Sequence, residues 1–359
     1  MLALSKYGRR AASSRHRLLD YIPLLEKKGI LVTPTQLLSD DYVDGLYAGR
    51  KTNYADIMQS FLLRMAQLWS ANRFDLLWIE GELFPRLPAL AERTLSLFGC
   101  PYVVDLDDAI FHTYDRHPRA FVRRFLGNKI DVVLAHATAV TAGNEYLAER
   151  ARRVGANHVA VVPTTVDLEA YTPADSHAGH PLTFGWIGSP ATDHYLKTIA
   201  DQLEQLLSTL PARLHLIGIS PGNTALAGAD YRPWSEATEG AELAKCDVGL
   251  APLFDGPWER GKCALKAIQY MATGIPVLAA NVGALPSVVE HGEQGFLYGN
   301  SDEFTAFARQ LAADRDLRLR MGSAGRKRVA DCYAIQGWAD TLADILSGAA
   351  RARPALRKR

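Results

Sequence analysis

The sequence predicts an α/β protein of two doubly wound domains, each a parallel sheet with helices on both faces. Three observations carry this. Short apolar runs rich in β-branched residues recur along the chain and alternate with longer helix-period stretches, as expected of β-α units whose strands are buried on both faces. Near the middle, Thr172 to Pro181 (TPADSHAGHP) has no apolar periodicity and collects Pro, Gly, Ser and Asp, which reads as a linker. The chain has 359 residues, more than one hydrophobic core usually organises.

In the first half, strands are expected at Leu2 to Ser5, Ile30 to Thr33, Leu76 to Glu80, Tyr102 to Leu106, Ala139 to Ala142 and Val159 to Pro163. Ser13 and Ser14 stand as caps before Arg15-His-Arg-Leu-Leu-Asp-Tyr-Ile, and Glu26-Lys27-Lys28-Gly29 supplies a basic last turn and a terminal glycine. One helix is therefore expected from about Ser14 to Lys28. After the linker the alternation restarts at Leu182 to Ile187, Arg213 to Gly218, Asp247 to Ala251 and Pro276 to Ala279, and from Asp302 to about Ser347 the pattern is helical. The expected domains are 1–173 and 181–335. A last helix, 336–350, is expected to cross back to the first domain, and 351–359 forms a basic mobile tail.

Lys and Arg number 40 against 39 Asp and Glu, a formal charge of +1. Such a balance gives no footprint for duplex DNA, and nucleic acid is not an expected partner. The four cysteines, Cys100, Cys246, Cys263 and Cys332, form no C-x-x-C pair and no zinc-spaced Cys/His cluster, so they are expected as reduced thiols in a cytoplasmic protein with no metal site. The run Met1 to Lys6 is too short for a signal peptide, and nowhere do 18 apolar residues follow one another, so the chain is expected to be neither secreted nor membrane-spanning. It can still lie on a membrane. The segment Arg116 to Lys129 mixes Phe121, Val122, Phe125 and Leu126 with Arg119, Arg123, Arg124 and Lys129, a basic amphipathic pattern suited to anionic lipid headgroups. Core packing is the plainer reading of the same residues.

Ligands in open parallel sheets bind beyond the carboxyl ends of the strands, so the strand-end loops, and a cleft between two facing sheets, are the places to look. Phe184-Gly185-Trp186-Ile187-Gly188-Ser189-Pro190-Ala191-Thr192 runs from a strand through a Gly-Ser turn toward a helix. Gly188 and Ser189 are candidates to cradle a diphosphate with free backbone amides; a tight strand-helix turn is the alternative. In the loop from Ala251 to Lys262 a strand ends at Pro252, and a helix is expected from about Lys262 to Gly274, which puts Lys262 and Lys266 on one helical face. Cations at a helix amino end oppose its dipole unless an anion lies between them, which suits a pyrophosphate; two solvated lysines are the plainer reading.

Residues 246–298 (CDVGLAPLFDGPWERGKCALKAIQYMATGIPVLAANVGALPSVVEHGEQGFLY) resemble the donor-binding segment of GT-B glycosyltransferases of the retaining group-1, or family-four, type, in a subgroup reading Arg-Gly-Lys-x-x-x-Lys-x-x-Gln-Tyr-Met-Ala. The resemblance is looser in the first half, at Tyr102 to Asp108, Val140 to Leu147 and Val162 to Pro173. It implies the GT-B fold, two Rossmann-like domains facing across a cleft, with the acceptor on the first and a nucleotide sugar on the second. Against the family signature, Gln269 stands where the second glutamate would bind ribose, and Gly261 where the first would meet the donor sugar. The resemblance therefore makes Gly188, Ser189, Gly261, Lys262, Lys266 and Gln269 the donor-side candidates.

In the first domain, Asp107 and Asp108 end the strand at Leu106 where the family often has His-Asp. Adjacent carboxylates at a ligand site accept sugar hydroxyls, and their repulsion raises one pKa; an exposed acidic turn is the alternative. With Lys262 and Lys266 they form the catalytic candidates. The acceptor candidates are Gly8, Arg9, Ser14 and Arg15 after the first strand, together with Glu80. The resemblance implies a nucleotide-sugar-dependent transferase of a hexosyltransferase type that needs no metal or other cofactor. Its acceptor would be a glycan or lipid-linked saccharide in surface polysaccharide or oligosaccharide biosynthesis. From the cysteines and the basic segment and tail, the expected location is cytoplasmic, with peripheral association on the inner face of the membrane as the further option. The rival readings are a noncatalytic glycosyltransferase-like binding subunit and a GT-B-like nucleotide-sugar epimerase.

Overall fold

The structure, a computed structural model, describes residues 1–173 and 181–352 except Thr52, Asn223, Ala225 and Ala227. Residues 174–180 of the expected linker and 353–359 of the basic tail lie outside the described residues. The chain forms two compact units. The first holds Met1–Thr164, Arg260–Cys263 and the chain from Trp338; the second holds Thr165–Glu259 and Ala264–Gly337.

The first unit is built on six strands, β1 Leu2–Ser5, β2 Thr33–Gln36, β3 Leu77–Glu80, β4 Tyr102–Leu106, β5 Ala139–Ala142 and β6 Val159–Val161, in the order β2-β1-β3-β4-β5-β6. Every pairing is parallel. β1, β3, β4 and β5 are buried along their whole length, which is why their sequences run apolar instead of alternating. β2 is shifted three residues toward the carboxyl end of the Ile30 to Thr33 run and shares only Thr33 with it. It is an edge strand and mostly exposed, so packing does not demand apolar residues there, and Pro34, lacking an N–H, is tolerated at an edge.

The single helix expected from Ser14 to Lys28 is three pieces: Ala12–Arg17, a 3-10 turn Leu19–Tyr21, and Ile22–Lys27. Pro23 lies in the first turn of the third piece, where its missing N–H is harmless, whereas inside a continuous helix it would break the ladder. Ser13 and Ser14 lie within the first piece and do not cap it, since the N-cap is Ala11 with no side-chain bond. The expected C-terminal glycine is found: Gly29 adopts φ 79°, and its N–H and that of Ile30 bond Glu26 O and Leu25 O, closing the helix as a left-handed cap does.

The second unit carries β7 Leu182–Ile187, β8 Ala212–Ile217, β9 Ala229–Arg232, β10 Val248–Ala251, β11 Val277–Ala280 and β12 Gly295–Tyr298, in the order β12-β11-β10-β7-β8-β9. β9 and β12, unmarked in the sequence reading, are the two edges. One face of this sheet packs on the helix Leu265–Ala272, whose Ala267, Ile268, Met271 and Ala272 are fully buried. The other packs Phe184, Trp186, Leu216 and Leu250 against Leu203, Phe304 and Leu311. Helices Ser301–Ala313, Arg315–Cys332 and Ile335–Arg351 complete the chain. The cysteines are free thiols; Cys246 and Cys263 are buried and Cys332 is exposed.

Candidate functional site

At the carboxyl edge of the first sheet the strand register stacks polar side chains. Glu80 of β3 aligns with Asp105 of β4, and Asp105 with Thr141 of β5. Asp105 is buried and accepts two bonds from the Arg17 guanidinium, at 2.9 and 2.7 Å, and one from the Thr141 hydroxyl at 2.5 Å. Arg17 also donates to Val162 O at 2.6 Å. Glu80, equally buried, accepts from the Ser14 hydroxyl at 2.7 Å and the Lys6 amide at 2.9 Å. Burial pushes its carboxyl above the usual range, and those two bonds pull it back. Ser14 and Glu80, both read as acceptor-side candidates, thus face each other and fix the loop after β1.

Asp107 and Asp108 follow β4 and are half-buried. Burial and then the adjacent Asp108 charge push the Asp107 carboxyl up to about 7, because both disfavour its ionised form. Asp108 lies 3.4 Å from the Lys262 ammonium. Lys262 is not on the helix with Lys266: that helix starts at Leu265, after Ala264 at φ 56°. Residues Arg260–Cys263 instead dock on the strand ends of the first unit. The Asn144 amide donates to Gly261 O at 2.9 Å and Lys262 O at 3.1 Å, and the Cys263 thiol to Asp107 O at 3.0 Å. Two glycines permit the approach. A Cβ on Gly261 would meet the Ala109 Cβ and N at 2.6 and 2.7 Å, and one on Gly143 would meet the Cys263 sulfur at 2.2 Å. Position 261 therefore has no room for the sugar-binding glutamate of the family signature.

The remaining acceptor-side candidates are bound into the first unit. Arg9 pairs with Asp20 at 2.7 Å and remains half-exposed. Arg15 is buried within the first helical piece. A Cβ on Gly8 would meet the side-chain tips of Gln36 and Asp40 at 2.3 and 2.4 Å.

In the second unit the turn after β7 differs from expectation. The Gly188 N–H donates to Ile217 O at 3.0 Å and the Ser189 N–H to the Thr192 hydroxyl at 3.1 Å, so neither amide is open to a phosphate. The expected helix follows as a 3-10 segment, Asp193–Ile199, that runs into the α-helix Ala200–Thr209. Lys266, in the first turn of Leu265–Ala272, places its ammonium 5.3 Å from the Trp186 ring centre, and that helix has no side-chain N-cap bond. Gln269 is buried, and its amide nitrogen donates to Tyr171 Oη at 3.1 Å and Glu239 Oε1 at 2.8 Å. Tyr171 and Trp234 also donate to Glu239, each at 2.6 Å. A glutamine here satisfies Glu239; a second glutamate would set two buried carboxylates together.

The sequence reading missed Arg17, Asn144 and Glu239. Asn144 alone carried a local signal, because it caps Glu145–Arg153 through Leu147 N at 3.0 Å. The basic segment splits on folding: Val122 and Leu126 pack toward the core while Phe121 and Phe125 are exposed. Lys129 is buried against Glu82, so it adds no surface charge. Among the described residues no helix is long and apolar enough to cross a membrane, and no group of three His, Cys, Asp or Glu side chains is placed to hold a metal.

Comparison with known proteins adds a family context. Residues 181–314 match the model of glycosyl transferases group 1, and residues 43–165 that of a glycosyl transferase 4-like domain. A D-inositol 3-phosphate glycosyltransferase of Streptomyces avermitilis is 32% identical over 244 residues, covering 58% of this chain and 49% of the relative. The chain spans about half the length of the first curated relatives it matches. Sucrose-phosphate synthase from Thermosynechococcus elongatus superposes with a TM-score of 0.71 at 15% identity, over 97% of this chain and 99% of that one. Anabaena HepE in complex with UDP does so at 0.67 and 16%, over 97% and 99%. At these identities the superpositions show the fold, and the fold is GT-B.

Proposed function

We propose, from the premise that the chain is built of a glycosyl transferase 4-like domain and a group 1 glycosyltransferase domain, that it transfers a sugar from a nucleoside-diphosphate sugar to a glycan or lipid-linked acceptor. Anomeric configuration is retained and no metal is required. The carrying observation is the array at the carboxyl ends of the first sheet, where Glu80, Asp107, Asp108 and Lys262 lie on an interlocked loop and strand edge. That edge is where parallel sheets take ligands.

Asp107, protonated near neutrality, offers a hydroxyl donor, and Asp108 a carboxylate acceptor, which together orient sugar hydroxyls. On the second unit, Lys266 neutralises the departing diphosphate as charge builds on it, and on the first, Lys262 is held beside Asp108. The amides of the uncapped helix beginning at Leu265 take over the role first assigned to Gly188 and Ser189. In the retaining step the anomeric carbon–phosphate bond breaks, the acceptor oxygen bonds the same face, and its proton passes to the leaving diphosphate. Solved HepE structures contain UDP and UDP-glucose, which supports a nucleotide-sugar donor. The acceptor side is read as belonging to surface polysaccharide or oligosaccharide assembly on the cytoplasmic face of a membrane, with Phe121, Phe125 and the nearby arginines as one lipid contact.

A second reading, a noncatalytic binding subunit, is favoured by the Gln269–Glu239 network and the filled space at Gly261. Melting the protein with UDP, GDP, ADP, CDP and TDP, with and without EDTA, tests the main reading. A nucleotide at roughly 100 times its dissociation constant stabilises the native state by about 2.7 kcal/mol. A selective upward shift that survives EDTA, followed by release of that nucleotide from its sugar conjugate, is expected. A shift without turnover supports the noncatalytic reading, and no shift with any nucleotide overturns both.

A further inference from the structure

The helix Tyr54–Trp69 is built inside out. Toward the sheet it turns half-buried Ile57, Phe61 and Leu68 together with Arg64, which is 1% exposed. Phe61 packs edge-on to Phe84 at 5.5 Å. The Arg64 guanidinium is held by carbonyls, donating to Ser5 O at 2.9 Å and Thr35 O at 3.4 Å. The opposite stripe is Tyr54, Met58, Leu62, Met65 and Trp69, exposed by 80%, 62%, 62%, 50% and 86%, with Leu63 beside it at 57%. An ordinary surface helix buries its apolar stripe and solvates its arginine, and a contiguous apolar face of this kind marks an interaction surface.

The composition of the stripe identifies what covers it. Asp56 and Arg64 are the only charged residues in the helix, so its outer middle is apolar. Tyr54 stands at one end and Trp69 at the other; both are polar-tipped aromatics that favour a membrane–water boundary. Exposed Arg50 and Lys51 precede the helix and exposed Arg73 follows it, against exposed Asp56 and Asp75. At about 1.5 Å per residue the helix is about 24 Å long, enough to lie flat with cations at both ends reaching phosphate headgroups. We propose that this helix lies in the plane of a phospholipid bilayer surface, inserting Met58, Leu62 and Met65 between Tyr54 and Trp69. A second copy of the chain would also cover the stripe, but it would give no reason for polar-tipped aromatics and cations at its ends.

The proposal rests on the reading above in one respect, that the acceptor is presented at a bilayer. The test therefore measures membrane and nucleotide binding separately. The full chain is floated with vesicles of phosphatidylcholine, with and without phosphatidylglycerol, alongside L62Q/M65Q, W69S and F121S/F125S variants. Light scattering gives the mass of each, and melting with the nucleotide panel checks fold and nucleotide binding. Wild type is expected to float, and L62Q/M65Q to lose about tenfold or more in partitioning at unchanged mass and nucleotide shift. Should L62Q/M65Q fail to fold, W69S carries the same expectation. Failure of wild type to float, unchanged flotation of the folded stripe variants, loss confined to F121S/F125S, or conversion of a dimer to a monomer by the stripe substitutions would each overturn the proposal.

Discussion

Two side chains give the sharpest tests at the level of single residues. Asp107 in the folded chain holds its proton up to about 7, because burial and then Asp108 disfavour the carboxylate, whereas an unfolded aspartate titrates at about 3.9. The folded state therefore binds more protons across that interval, and the contribution to stability, present below about pH 4, is lost as pH rises through about 7. Asp107→Asn removes this dependence. Its melting temperature relative to wild type is expected to climb between pH 5 and pH 8, and parallel curves would refute the assignment. Arg17 and Asp105 form a fully buried pair. Removing one partner strands the other charge, so Arg17→Ala is expected to cost about 3–5 kcal/mol, read as a lower denaturant midpoint. Asp107 was legible as one of an acidic pair whose repulsion raises one pKa, but not as the member that is raised, since burial and Glu80 come from other segments.

Among the elements, the loop Arg260–Cys263 and the helix after it depart most from the sequence reading. The heptapeptide from Lys262 to Ile268 has helical composition, yet its first two residues are drawn onto the first sheet by Asn144 and Asp107 O, and the chain turns back through Ala264 at φ 56°. Gly261→Ala places a methyl against the Ala109 backbone, which cannot yield, and is expected to destabilise by about 1–3 kcal/mol. Gly261→Glu, which would restore the family glutamate, is expected to lower stability further instead of improving donor affinity. Rapid proteolysis within the loop of either variant checks this, and wild-type resistance would show that the packing is looser than described. The buried strands β1, β4, β5 and β7 match their apolar runs to the residue, whereas edge strands β2 and β9, mostly exposed or half-exposed, left no apolar run to read.

For the molecule as a whole, the compact units do not follow the linker. The stretch from Thr165 to Pro173 belongs with the second unit, where Tyr171 joins the core, while Arg260–Cys263 and the chain from Trp338 belong with the first. A fragment of residues 1–173 lacks the loop over Gly143 and the helix bearing Asp340, the ion-pair partner of Lys28. It is expected to be largely insoluble alone and recovered by coexpression with 174–359; a cooperatively folded fragment by circular dichroism would count against this division. By itself the sequence determined the α/β class, the two-domain count, most buried strands and the strand ends where chemistry gathers, because burial on both faces of a parallel sheet writes itself as local composition. Only the tertiary structure decided that the Gly188 and Ser189 amides are occupied, that Gln269 answers Glu239, that Lys262 pairs with Asp108, and that Tyr54–Trp69 turns its apolar side outward. Each of these depends on which distant group fills the space beside a residue, and local composition and periodicity do not encode that.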